Sequence, residues 1–247
     1  MTSRWIILPF AALLCLQVAP WVFAQENDGD RTEYATNEDG FVSMFNGKDL
    51  SGWIPVSVGK DTFTARGELI YCTGKPTGVM RTERMYENFI MEVEWRHLRP
   101  KGNAGVFIWS DAKPVTHRVF TRSIEVQVLD GRETANYTSH GDVFAIHGAR
   151  MTPDRPHPNG WARCLPSEKR ANPSPGWNHY RITCNDGRIT LAVNGKVVSG
   201  GSDCFPRKGY ICLESEGSPC EFRNILIKEL PSTGATAEDT ALVAEEK

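Results

Sequence analysis

NHYRITCNDGRITLAVNGKVV, residues 178–198, decides the fold class. Asn178–Cys184 sets Tyr180, Ile182 and Cys184 on one side and His179, Arg181 and Thr183 on the other. Arg188–Val193 repeats the pattern with Ile189, Leu191 and Val193. A period of two is the signature of a strand with one buried face. Between and after these runs stand Asn185-Asp186-Gly187 and Asn194-Gly195. Asn, Asp and Gly tolerate the positive φ that tight hairpin turns require. The segment therefore reads as consecutive antiparallel strands.

The same rhythm extends outward. In 88–97, Phe89, Met91, Val93 and Trp95 alternate with Ile90, Glu92, Glu94 and Arg96. In 123–128, Ile124, Val126 and Val128 oppose Glu125 and Gln127, and 209–213 and 221–227 are similar. No stretch carries a helical apolar stripe. Many short strands with Gly-containing turns give an all-β protein, expected as a β-sandwich. The proline-rich segment 148–176 breaks the rhythm and is expected to be a long loop, either a lid or wall of a site or a packed surface loop pinned by Cys164.

The ends differ from this middle. Met1–Arg4 carries one positive charge, Trp5–Leu16 is apolar, and Val22-Phe23-Ala24 has the small residues of a signal-peptidase site. This predicts a signal peptide over 1–24 cleaved after Ala24, and a periplasmic or secreted protein; the alternative is an uncleaved membrane anchor over Trp5–Ala24, which Pro9, Gln17 and Pro20 disfavour. Leu14 before Cys15 argues against a lipid-modified cysteine. No membrane span is expected after cleavage. Residues 25–40 hold six acids and one base and read as a disordered acidic leader. Residues 231–247 read as a disordered tail, leaving the domain over 41–230. Of 28 Lys and Arg residues Arg4 leaves with the signal, so 27 basic residues face 30 acidic ones. That balance supplies no basic footprint for nucleic acid. Six cysteines remain, and an even number in an exported chain predicts at least one disulfide, the alternative being that several are free buried thiols of the core. Cys212–Cys220, flanking a tight segment, is the expected pair.

Glu125 and Gln127 share the polar face of their strand, as Glu94 and Arg96 do on theirs. If both strands belong to one sheet, these four line one polar surface, a groove suited to sugar hydroxyls. Trp109, Trp161 and Tyr137 are candidate platforms for pyranose faces. The plainer alternative is a half-exposed sheet with solvated side chains. The histidines include no His-x-x-x-His pair, so ligand spacing gives no support for a divalent metal, and no cofactor is expected.

Five blocks carry a resemblance: FVSMFNGKDLSGW (41–53), NAGVFIWS (103–110), SIEVQVLD (123–130), PGWNHYRITCNDGRITLAVNGKVV (175–198) and GYICLESEGSPCEFRNILIKEL (209–230). In this order they resemble the 3-keto-disaccharide hydrolase family, and they cover essentially the whole of 41–230. The resemblance implies a concanavalin-like jelly-roll sandwich and action on glycosides oxidised at C3. Such members are 3-keto-glucoside 1,2-lyases and 3-keto-2-hydroxyglucal hydratases. Carried over by position, the polar residues in matching blocks are Asn103, Glu125, Gln127, Glu214 and Glu216, and Glu94 and Arg96 join them from the alternating run 88–97 between the first two blocks. Family membership does not fix their roles; Glu125 is the first choice for the base, because desolvation in a groove raises a carboxyl toward neutral pH, His147 is the second choice, and Arg96 is expected to face the developing enolate. Glu94, Asn103, Gln127, Trp109, Glu214 and Glu216 are then expected to bind substrate, an oxidised glycoside or oligosaccharide. The alternative is a non-catalytic carbohydrate-binding module with the same groove.

Overall fold

The computed structural model describes Met1 and residues 37–244. The expected signal peptide and most of the acidic leader lie outside the described residues. In chain order the strands are β1 (Val42–Ser43), β2 (Trp53–Val56), β3 (Phe63–Arg66), β4 (Leu69–Cys72), β5 (Gly78–Thr82), β6 (Phe89–His97), β7 (Asn103–Ser110) and β8 (Ser123–Leu129). They continue as β9 (Val143–Ile146), β10 (Arg150–Pro153), β11 (Arg163–Cys164), β12 (Asn178–Asn185), β13 (Arg188–Val193), β14 (Lys196–Phe205), β15 (Tyr210–Ser215) and β16 (Cys220–Glu229). Among the described residues there is no helix, and hence none long and apolar enough to cross a membrane.

Two antiparallel sheets form a concanavalin-like sandwich. The first runs β10-β14-β13-β12-β6-β16-β4-β3, with β1 beside β16; the second runs β11-β9-β8-β7-β15-β5-β2. The hairpins read from 178–198 are present: Asp186 and Gly187 have φ of 48° and 69°, and Asn194 and Gly195 have 48° and 87°. Alternation in β6 is complete, with Phe89, Met91, Val93, Trp95 and His97 buried and the residues between them half-buried. These side chains interdigitate with Tyr180, Ile182 and Leu191 and, from the second sheet, with Val106, Ile108, Ile124 and Val126. That shared core fixes which face of each sheet points outward.

Four expectations are corrected. Glu94 and Arg96 sit on β6, in the other sheet from Glu125. There Glu94 accepts from Arg223 at 2.6 Å and Arg96 donates to Glu221 at 2.8 Å. Trp109 is fully buried in the core, with its Nε1 donating to Glu87 O at 2.8 Å. All six described cysteines are free thiols. Cys212 lies on β15 and Cys220 on β16, because 216–219 crosses between sheets instead of closing a hairpin. Finally, residues 231–244 are not a free tail: Thr240 bridges Lys208, Asp239 pairs with Arg207, and Ala241 is buried. The loop 148–176 contains the short strands β10 and β11, which add one edge strand to each sheet.

Candidate functional site

The outward face of the second sheet collects the polar residues that the core excludes. On β8 both Glu125 and Gln127 point outward, yet they are only 7% and 6% exposed. The face is roofed: Phe120 packs edge-on against Phe107 at 5.6 Å between ring centroids, and Arg163 lies over Phe144 at 3.6 Å. Across the strands, Glu125 is paired with Phe107 on β7 and with Phe144 on β9, and Gln127 with Gly105. Glu214 of β15 reaches the same place from the other side. A Cβ at Gly105 would stand 2.8 Å from Glu214 Oε2 and 3.1 Å from Glu125 Oε1. The absence of a side chain at Gly105 lets both carboxyl groups approach the same bare backbone.

A chain of amides extends the polar floor. Gln127 Nε2 donates to Asn103 Oδ1 at 2.9 Å, and Asn103 Nδ2 donates to the Glu216 carboxylate. Tyr180, from the other sheet, donates its hydroxyl to Gln127 O at 2.8 Å and so ties this strand to the core. The structure therefore brings together Glu125, Gln127, Asn103, Glu214 and Glu216.

Burial governs the acid–base character here. Desolvation first, then the neighbouring Glu216, pushes the Glu125 carboxyl up to about 8; Arg163 opposes the shift and Asp142 adds to it. Burial, Glu125, Glu216 and Cys72 hold Glu214 well above the usual carboxylate range. Glu216 is raised by burial too, against the hydrogen bond from Asn103 and the charge of Arg132. Removing a carboxylate from water favours its neutral form, and like charges add to that preference.

Next to Phe144, the cross-strand partner of Glu125, opens a cleft of ≈ 260 Å³ lined by Tyr137, Phe144, Ala145, Trp161, Ala162 and Arg163. Trp161, 49% exposed, stacks on His157 at 4.7 Å with 10° between planes. His157 is itself buried, bonded through Nε2 to Asn136 O at 2.9 Å, and its Nδ1 accepts from Asn159 N at 3.1 Å. The indole is thus a braced platform. Arg163 donates to buried Asp142 at 2.9 Å, which holds the guanidinium over the Phe144 ring at the cleft wall. Tyr137 and Trp161 thus share one cleft, as sugar platforms must, whereas Trp109 has no access to it.

His147 has φ of 53° and stacks on Phe120 at 6.3 Å. It lies just past the end of β9, three positions on from Phe144, the partner of Glu125. Burial and nearby Arg118 lower its pKa. It belongs to the rim of this face and not to the carboxylate cluster.

The sequence alone does not single out Arg163 or Phe144. Phe144 carried little signal, because it sits in the continuous apolar run Val143–Ile146, which does not say which side chains face outward. Arg163 carried none, because only the pairing of β11 with β9 sets it opposite Phe144. Among the described residues no group of three His, Cys, Asp or Glu side chains is arranged to hold a metal ion.

Residues 40–228 match the model of the 3-keto-alpha-glucoside-1,2-lyase-like domain. The fold is similar to that of a candidate glycosyl hydrolase from Parabacteroides distasonis, with TM-score 0.59 and 21% identity over 78% of this chain and 95% of that one. It is also similar to the carbohydrate binding module CBM66 from Bacillus subtilis, with TM-score 0.52 and 11% identity over 72% of this chain and 96% of that one. No curated protein matches the sequence.

Proposed function

Starting from the chain's membership of the 3-keto-alpha-glucoside-1,2-lyase-like domain family, we propose that it cleaves glycosides carrying a ketone at C3, using Glu125 as the base. A C3 ketone acidifies the proton on C2. Glu125 takes that proton, and the electron pair moves onto the C3 oxygen as an enolate. The enolate re-forms the ketone, a C1–C2 double bond develops, and the C1–oxygen bond breaks, with the leaving oxygen taking up a proton. Water then adds across the double bond, its hydroxyl to C1 and its proton to C2, for net hydrolysis.

The observation that carries this reading is the position of Glu125. It is a nearly buried carboxyl raised to about 8, paired across the strands with Phe144 on the wall of an aromatic cleft that also carries an arginine. A base tuned toward the working pH is the group that proton abstraction requires. Arg163 replaces Arg96 as the cation facing the enolate oxygen, since developing negative charge is best met by a preorganised donor. Tyr137, Phe144 and Trp161 cover the apolar faces of the sugar. Export by the amino-terminal segment is part of the proposal, supported by its charge, apolar run and Val-Phe-Ala site.

Incubation of purified protein with a 3-keto-glucoside and with the matched unoxidised glucoside, each with and without EDTA, tests the proposal. Cleavage of the keto substrate alone supports it. Binding without cleavage of either would assign the domain to the carbohydrate-binding modules instead, and loss of cleavage in EDTA would require a divalent metal.

A further inference from the structure

Glu214 has no place in the steps above, yet its situation is unusual. It is 1% exposed, and its Oε2 is buried without a hydrogen-bond partner. That oxygen and Glu125 Oε1 both stand close over Gly105. Distances of 2.8 Å and 3.1 Å from one Cβ position put the two oxygens within about 6 Å of each other, the range in which like charges oppose double ionisation.

The surroundings offer little to offset two negative charges. Around Glu214 stand Glu125 on β8, Glu216 beyond β15, Cys212 on β15, and Cys72 and Cys220 on β4 and β16. Around Glu125 stand Glu216, Asp142 and Arg163. Arg163 is already paired with Asp142, and Arg132, near Glu216, is at the surface. Arg81, near Cys212, lies over the Tyr210 ring and donates to Thr82 O at 2.8 Å. An isolated buried carboxylate of this kind neutralises by keeping its proton.

We infer that Glu214 is a positioning residue for Glu125: it remains a carboxylic acid while Glu125 ionises, and the pair works over Gly105 as one acid and one carboxylate. A neutral O–H at this place stabilises and orients the Glu125 carboxylate, whereas a second carboxylate would repel it. The kinetic consequence rests on the proposed role of Glu125; the protonation state does not.

Infrared spectroscopy of the full chain on the alkaline side of about 8, where Glu125 is ionised, tests this. Wild type should keep a carboxylic-acid carbonyl band that Glu214→Gln loses. A wild-type spectrum without that band, or a band that survives Glu214→Gln, overturns the inference. Gly105→Ala supplies a test that keeps both carboxyls. Its new Cβ wedges between two flexible side-chain ends, so the band should persist at a shifted frequency; an unmoved band also overturns the inference. In turnover of a 3-keto-glucoside, Glu214→Gln can still donate through its amide and should leave the alkaline rise near its wild-type midpoint. Glu214→Leu, with no donor, should move the rise to higher pH. A large fall in the midpoint of Glu214→Gln would show that a negative charge had been removed, against the inference. If no turnover is found, the enzyme reading fails while the infrared result still decides the state of Glu214.

Discussion

Glu125→Gln should make the protein more stable at neutral pH while abolishing its chemistry. A strand residue on a solvated face would be neutral to this change, but Glu125 is only 7% exposed. Its pKa rises from 4.5 to about 8 in the folded state. A raised carboxyl contributes stability that is intact below about 4.5 and lost as pH rises through about 8, because the unfolded chain ionises first. At about 1.4 kcal/mol per unit, the full loss is on the order of 5 kcal/mol, of which about 3 kcal/mol is gone by neutral pH. Gln has the same shape and no proton to lose, so the variant escapes this loss. Urea unfolding of both proteins across acid to mildly alkaline pH gives the difference directly. The two stability curves should lie close together in acid and diverge as pH rises, the variant above. Parallel curves would refute the claim that Glu125 ionises in a dry site. The pattern is the usual one for a residue kept for activity against stability.

The remaining expectations concern the cleft and the core. Arg163→Ala should lower kcat/KM for a 3-keto-glucoside by roughly a hundredfold or more, while Arg96→Ala, on the opposite sheet, should leave steady-state kinetics nearly unchanged. Trp161→Ala should raise KM several-fold with kcat largely kept, since the indole only stacks; calorimetric titration with substrate or product checks this. If exported material is oxidised, peptide mapping by mass spectrometry should find Cys72 linked to Cys220, which face each other across β4 and β16, and no Cys212–Cys220 link.

The strands that alternate strictly were legible because one side of each meets the core. β6, β8, β12, β13, β15 and β16 fall within two residues of the runs read from sequence. What the pattern does not encode is sheet membership. Glu94-x-Arg96 and Glu125-x-Gln127 look alike in sequence, yet they occupy outer faces of different sheets. Trp109 follows the outward Phe107 by two positions, but its φ of 53° turns the strand at that point and its ring enters the core. Glu125, Gln127, Asn103, Glu214 and Glu216 were all named from sequence. Their convergence depends on Gly105 and on β7 lying between β8 and β15, which is tertiary information. Arg163 depends on a two-residue strand within a proline-rich loop, too short to have a period.

The central claim is that Glu125 removes the proton on C2, and isotope incorporation tests it most directly. A 3-keto-glucoside is cleaved in deuterium oxide and the sugar product is examined by NMR, with an enzyme-free control for spontaneous exchange. Elimination followed by hydration takes the C2 proton from the substrate and returns a solvent deuteron, so the product should carry deuterium at C2, and Glu125→Gln should yield neither cleavage nor label. Cleavage that leaves the original hydrogen on C2 would mean direct substitution at C1, and would contradict the account.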